Sequence, residues 1–267
     1  MARAIGNTEL VALDQIDIGD ILADQGNLAE AARLFDLSLK IFRNIGENGN
    51  QAMTLAEIGR VRAARGDAVS ARALYEQALA IQAPLDVKGD LAATQVAIAE
   101  LVCDTDAAEA EKLLRAALPE FQFEKRGTDE LRVHAILARA LLRLGRTAAA
   151  RAAVDAAVAL FDRGRLMDRI EWKFADARVR LAEGNVARAE IVAQQSFDEA
   201  KSHGLVGAQF EASLILGQIH AMGPDPAHAR SELMSLSEAA RNKGFGHIAN
   251  QAAALAARPG ASTATEI

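Results

Sequence analysis

Apolar and polar positions along this chain alternate with the period of amphipathic helices, and the alternation itself recurs. From Ala71 to Ile81 the residues Ala71, Leu74, Tyr75, Ala78, Leu79 and Ile81 stand mostly three or four apart, which gathers them on one face of a helix. The set Ala31, Leu34, Phe35, Ser38, Leu39 and Ile41 repeats that spacing 40 residues earlier. Two series of small residues keep the same phase. The first is Gly19, Gly59, Ala99, Ala138, Ala177 and Gly217, at intervals of 40, 40, 39, 39 and 40. The second, Ala31, Ala71, Ala110, Ala150, Ala189 and Ala229, follows it by 12 residues, once by 11. A period held over about 210 residues predicts a stack of similar units, each too small to bury its own apolar face.

Each unit reads as helix, tight turn, helix. Seven residues after the first small position stands Gly26, Gly66, Gly145 or Gly184, followed by Asn27, Asp67, Arg146 or Asn185. Glycine ends a helix in the left-handed conformation, and a short polar residue after it caps the next one. Small residues at the phased positions let two helix backbones cross closely, a packing role that needs no ligand. The predicted fold is all-α: about twelve antiparallel helices in six units (about 10–49, 50–89, 90–128, 129–167, 168–207 and 208–245), closed by a capping helix over 246–257. A Pro-, Gly-, Ser- and Thr-rich tail over 258–267 is expected to be disordered.

The pairs Ile18-Gly19, Ile58-Gly59, Ile98-Ala99, Leu137-Ala138 and Leu216-Gly217, the turn glycines, and Ala71, Tyr75 and Ala78 in the second helix resemble the tetratricopeptide repeat. The resemblance spans roughly residues 10 to 245 and implies a right-handed α-solenoid. It departs from the family pattern in its period of 39–40 and in lacking the proline that usually closes a repeat. Repeats of the HEAT class share the longer period. The spacing within each unit is that of the tetratricopeptide repeat, and the extra residues fall between units. Long-period repeats of this kind are similar to those of bacterial signalling proteins, often beside a kinase, cyclase or winged-helix DNA-binding domain, and the tail over 258–267 would be a linker stub if the chain is a fragment of such a protein.

Composition narrows the functional classes. Apolar residues make up 51% of the chain and aromatics only 4%, so the core is built mainly of Ala, Leu, Ile and Val, with Ala and Leu strong helix formers. No apolar stretch reaches the roughly 20 residues that span a bilayer, and no basic, apolar leader opens the chain. The single Cys103 excludes an intrachain disulfide and fits a reducing cytoplasm, where it reads as a small buried residue. A phosphate loop of the GxxxxGK type is missing, and Gly244 and Gly246 follow no strand. His134, His203, His220, His228 and His247 are scattered, with His220 and His228 divided by a proline-containing turn, so no metal site and no cofactor is expected. Asp225, between Pro224 and Pro226, reads as a helix cap. An enzyme is not expected.

Function then rests on the concave face. The resemblance places there the residues that follow the first small position: Asp20, Arg60, Glu100, Arg139, Arg178 and Gln218. Arg132 and Arg143 lie seven and four residues from Arg139 on the same helix. In a chain of net charge −6 the cluster of Arg132, Arg139, Arg143 and Arg178 is a local reversal of sign. A guanidinium pairs a carboxylate through two hydrogen bonds, so the cluster is a candidate clamp for an acidic peptide or a chain-terminal carboxylate. Trp172 and Phe174 could floor it, with core packing the alternative. The arginines could equally pair with neighbouring acids such as Glu171 or Glu183. Two other readings stand beside the peptide scaffold: a sensor closing on a small anionic ligand, and a nucleic-acid-binding repeat. The last needs a continuous basic track, which a pI near 5.5 does not support.

Overall fold

In the computed structural model, which describes residues 2–258 and the side chains of 8–258, the expected helix pairs are all present. They are α1 Ala2–Asp24, α2 Leu28–Ile45, α3 Asn48–Ala64, α4 Ala68–Gln82, α5 Lys88–Val102, α6 Ala107–Glu124, α7 Gly127–Arg143, α8 Thr147–Ala156, α9 Leu166–Ala182, α10 Val186–Ser202, α11 Val206–His220, α12 Pro226–Asn242 and α13 Gly246–Ala256. Short 3₁₀ turns follow α4 (Ala83–Leu85) and α8 (Val158–Arg163), and no strand occurs among the described residues. The tail expected to be disordered lies, beyond Arg258, outside them. The cap runs from Gly246 to Ala256, one residue short of its expected end.

The turns form for the reasons the sequence suggests. Gly26, Gly66, Gly145 and Gly184 all have φ between +72° and +83°, where a side chain would be strained. Asp67 and Asn185 accept hydrogen bonds from the backbone N–H of Ser70 and Arg188, at 3.1 and 3.3 Å. Asn27 and Arg146 occupy the same place without a side-chain cap. Asp225 caps α12 through the His228 N–H at 3.0 Å. The third unit has no turn glycine, and Asp106 caps α6 by accepting from the Glu109 N–H.

The first small position is a matter of size complementarity. A Cβ on Gly19 would stand 2.5 Å from the Phe35 ring, on Gly59 2.6 Å from the Tyr75 ring, and on Gly217 2.5 Å from Leu233. Where the first helix carries Ala99, Ala138 or Ala177, the second carries Leu114, Val154 or Ala193 at the matching position, none of them aromatic. In the three glycine units the large side chain of the second helix leaves no room for a Cβ on the first.

Neighbouring units stack through the second helix of one and the first helix of the next. The stack also winds far enough to meet itself. Gly26, in the α1–α2 turn, lies against Val206 at the start of α11 and against Phe245, with a Cβ there 3.1 and 3.4 Å from their side chains. The α3–α4 turn meets the start of α13 so closely that a Cβ on Gly246 would fall 2.2 Å from the Arg65 carbonyl oxygen. Gln251 of α13 donates to Asp104 in the α5–α6 turn at 2.7 Å. One core cluster accordingly joins Leu28, Phe35 and Leu55 from the first units with Ala240, Phe245, Ile248 and Ala249 from the last. The solenoid completes a turn and its cap lands on the edge of its own beginning, enclosing a central groove.

Candidate ligand groove

Two pairs of the six groove positions meet across neighbouring units, Asp20 with Arg60 and Glu100 with Arg139. Arg60 of α3 reaches back a whole repeat to Asp20 of α1, with Nη2 2.7 Å from Oδ1, and its Nε donates to Glu57 at 2.7 Å. Asp24 stands 3.9 Å away on the same guanidinium. Three carboxylates therefore share one cation. Burial by the groove walls, with the Glu57 charge added to it, pushes Asp20 up to about 7. Glu57, bonded directly to Arg60, is held below the usual carboxylate range against the cost of its burial.

A similar arrangement recurs two units further along. Arg132 of α7 donates through Nη2 to Glu100 at 2.6 Å, whereas its Nε is 3.9 Å from Glu171, beyond hydrogen-bond reach. That Nε is buried and has no hydrogen-bond partner. Of the two acids on Arg132, Glu100 keeps its charge through the direct bond. Glu171 is pushed up to about 8 by burial and by the Glu100 charge.

The arginine cluster is divided by its partners. Arg143 binds Asp104, with Nε 3.2 Å from Oδ1. Arg178 turns forward to Glu211 of α11 in a short ion pair. Arg139 turns back to the third unit, where Nη2 donates to the Glu100 carbonyl at 3.1 Å and Nε to the Cys103 sulfur at 3.3 Å. Arg139 and Arg178 do not share a carboxylate in the structure, because their nearest acceptors lie in opposite directions along the stack. Arg139 differs from the other five in one respect: both its acceptors are neutral. Arg60, Arg132, Arg143, Arg178 and, on the rim, Arg151 each hold a carboxylate within 4.0 Å. Gln218, at the groove position of α11, makes no side-chain hydrogen bond.

Trp172 does not join this group. Its Nε1–H donates to the Val154 carbonyl of α8 at 3.0 Å, and its ring stands edge-on to Phe161 with centroids 5.1 Å apart. The 3₁₀ turn after α8 carries Phe161 into that contact. Phe174 is core, 4% exposed. Of the pairings weighed for the arginines, Glu171 does meet Arg132, whereas Glu183 is taken by Arg151 at 2.8 Å.

Three features escaped sequence reasoning. His220 and His228 do meet, because the α11–α12 hairpin folds both onto Glu232, at 2.8 and 3.3 Å. Even so, no group of three or more His, Cys, Asp or Glu among the described residues is arranged to hold a metal ion. His134 is buried in α7, not exposed in the groove, and desolvation lowers its pKa. The contacts of Gly26, Gly66 and Gly246 across the closed turn carry no signal within a single repeat. Two shallow, open depressions, one around Asp104, Ala108, Leu142 and Arg143 and one around Asp86, Lys88, Glu120 and Phe123, both exclude Arg139.

A family described as tetratricopeptide repeat matches residues 12–83. Among solved structures, a Rap protein complexed with competence and sporulation factor is similar over 91% of this chain and 72% of its own, at 14% identity and a TM-score of 0.64. The apo form of RapI is similar over 91% and 83%, at 14% identity and a TM-score of 0.62. Nearly identical TPR-like repeats of a Podosopora anserina putative kinesin light chain are similar over 73% and 95%, at 21% identity and a TM-score of 0.52. These identities speak for the fold alone. No curated protein matches the chain.

Proposed function

We propose that this chain, a solenoid of the tetratricopeptide-repeat type, is a non-catalytic peptide-binding scaffold that takes a carboxylate-bearing segment in its groove, with Arg139 as the anchor. The observation that carries this reading is the state of Arg139. A half-buried guanidinium bonded only to a backbone carbonyl and a thiol, with the Glu100 and Asp104 charges nearby but not bonded to it, still lacks a direct carboxylate partner. A ligand carboxylate would supply that charge in the bidentate geometry guanidinium favours. Arg132 and Arg143 lie on the helix of the anchor and Arg178 on the next first helix, each already paired with an acid, and Gln218 offers an unsatisfied amide on α11. Arg60, already shared by three acids, is suited to a ligand's basic side chain nearby, not to its carboxylate.

The Rap structure named for its complex with competence and sporulation factor supports a peptide as the kind of partner for such a fold. The reading extends to a role in a bacterial regulatory protein of the cytoplasm, in keeping with one buried cysteine and with no described helix long and apolar enough to cross a membrane. A small-anion sensor is less well supported, since Arg139 lines neither of the two open depressions and no closed pocket is seen around it among the described residues. Nucleic acid is disfavoured because every groove arginine but Arg139 is neutralised by an acid.

The test is a random peptide library presented in two forms, with free and with amidated C-termini, screened against the purified full chain. Enrichment of peptides that need a free terminus or an Asp or Glu at a fixed place supports the reading. Enrichment independent of any carboxylate removes Arg139 from the role.

A further inference from the structure

The first helix presents a face that every later unit covers. Leu10, Val11, Ile18 and Ile21 of α1 are 60%, 50%, 50% and 57% exposed. With Asp14 and Asp17 they fall within one sector of about 120°, at 100° per residue. The repeat register shows what such a face does elsewhere. The positions of Ile18 and Ile21 recur as Ile58 and Val61 in α3, 6% and 2% exposed, and as Leu137 and Ala140 in α7, 4% and 0% exposed. In each case the second helix of the preceding unit lies on them: α2 on α3, α6 on α7. The outer face of α1 therefore has the shape of a seat for one more antiparallel helix.

Charge says what kind of helix. Between Thr8 and Asp24 the sequence carries five carboxylates, Glu9, Asp14, Asp17, Asp20 and Asp24, and no Lys, Arg or His. Asp14 stands where α3 and α7 have the buried Thr54 and Val133, in the middle of the apolar stripe. Neither Asp14 nor Asp17 makes an ion pair or a side-chain hydrogen bond. Covering them with an uncharged helix would strand two carboxylates out of water, a cost that a partner's cations offset. A second copy of this chain is the wrong occupant. The stripe from Leu10 to Ile21 is centred between Asp14 and Asp17, so a two-fold antiparallel pairing sets Asp14 against Asp17 of the other copy.

We propose that the outer face of α1 is a docking surface for an amphipathic helix of a partner protein, apolar at spacings of three and four with arginine or lysine beside the stripe. The partner helix packs as the second helix of a preceding unit would, and its cations meet Asp14 and Asp17. This surface is separate from the groove and does not depend on the function proposed for Arg139.

The probe is a fluorescein-labelled, helix-stapled peptide of 18 residues, with leucines in the stripe and arginines flanking it, and a control with glutamate for each arginine. Fluorescence anisotropy with the full chain should show the basic peptide binding at least tenfold more tightly than the acidic one. The Asp14→Lys, Asp17→Lys double variant should reverse that preference. Ile18→Ser with Ile21→Ser should weaken both peptides, and Arg139→Gln should weaken neither. The two aspartates and two isoleucines are exposed, so circular dichroism should stay unchanged in all variants. The proposal falls if the basic peptide fails to bind, or if the charge reversal leaves its affinity intact. It also falls if sedimentation shows a dimer that Ile18→Ser with Ile21→Ser dissolves, since a second copy then holds the face.

Discussion

The two ends of the solenoid are built from the same unit and finish differently. At the C-terminal end, α13 buries Ile248, Ala249, Ala252 and Ala256 and lays its first turn against the Arg65 carbonyl of α3. At the N-terminal end, α1 leaves Ile18 and Ile21 in water where α3 has both equivalents buried. Repeat packing alone predicts apolar surface at both ends. One end is covered by the chain's own α13, and the other carries Asp14 and Asp17 within its exposed apolar stripe. Function in a solenoid is therefore sought where a unit departs from its siblings: the acidic first face, and Arg139 among otherwise paired arginines.

The largest expected effect comes from removing the seal. Deleting residues 246–267 uncovers the α12 side of the core and breaks the contact between turns, with a loss on the order of 5 kcal/mol. Insolubility or a large fall in melting temperature is expected; an unchanged melting curve would show that α13 seals nothing. Gly246→Val isolates the contact between turns, because the side chain must enter the space of a backbone carbonyl while the rest of α13 keeps its face. A cost of about 2 to 3 kcal/mol is expected, with faster hydrogen exchange in α13 and in the Arg65–Asp67 turn. Slower exchange there, or none of the cost, would mean the ends are not in contact in solution.

Within the units, Ala71→Leu or Ala150→Leu should cost about 1 to 3 kcal/mol by overpacking a helix crossing. The same change at exposed Ala68 should cost little. Equal effects at buried and exposed sites would contradict the register that makes the two ends comparable.

A smaller effect follows from the groove acids. Glu171 is pushed up to about 8 in the folded protein, against an ordinary value of 4.5 that it regains on unfolding. Between those pH values the folded state holds more protons, so stability falls as pH rises from about 5 to 8.5. Asp20, pushed up to about 7, acts in the same direction. Glu57 and Glu100 are held low and contribute their full stabilisation across that window, so they add no slope. Thermal melts should drop by roughly 2 to 4 °C between pH 6 and 8.5, and Glu171→Gln should flatten most of the change. A melting temperature that rises with pH, or a slope untouched by Glu171→Gln, would count against the crowded-acid account.

The fold was legible because its determinants are local and repeated. Six small residues in phase, each facing an apolar partner on the second helix, specify a helix pair without reference to the rest of the molecule. The groove was legible as a line of residues and not as a set of contacts. Arg60 and Asp20 could be read as neighbours from their spacing of 40. The direction each arginine turns depends on which adjacent unit offers an acid, as with Arg178 to Glu211 and Arg139 to Cys103. Trp172 looked available for binding until the 3₁₀ turn after α8 supplied Phe161 as its neighbour. The meeting of Gly66 with Gly246 depends on small angles summed over six units, which no single repeat encodes.

The measurement that bears most directly on the groove is a double-mutant cycle by calorimetric titration. A peptide selected for its free terminus, and its amide, are each titrated against wild type, Arg139→Gln and Arg178→Gln. Arg139→Gln should weaken the free acid at least tenfold, about 1.4 kcal/mol or more, and leave the amide nearly unmoved, while Arg178→Gln affects both forms alike. Equal losses for acid and amide on Arg139→Gln, with all three proteins folded, would contradict Arg139 as the carboxylate anchor.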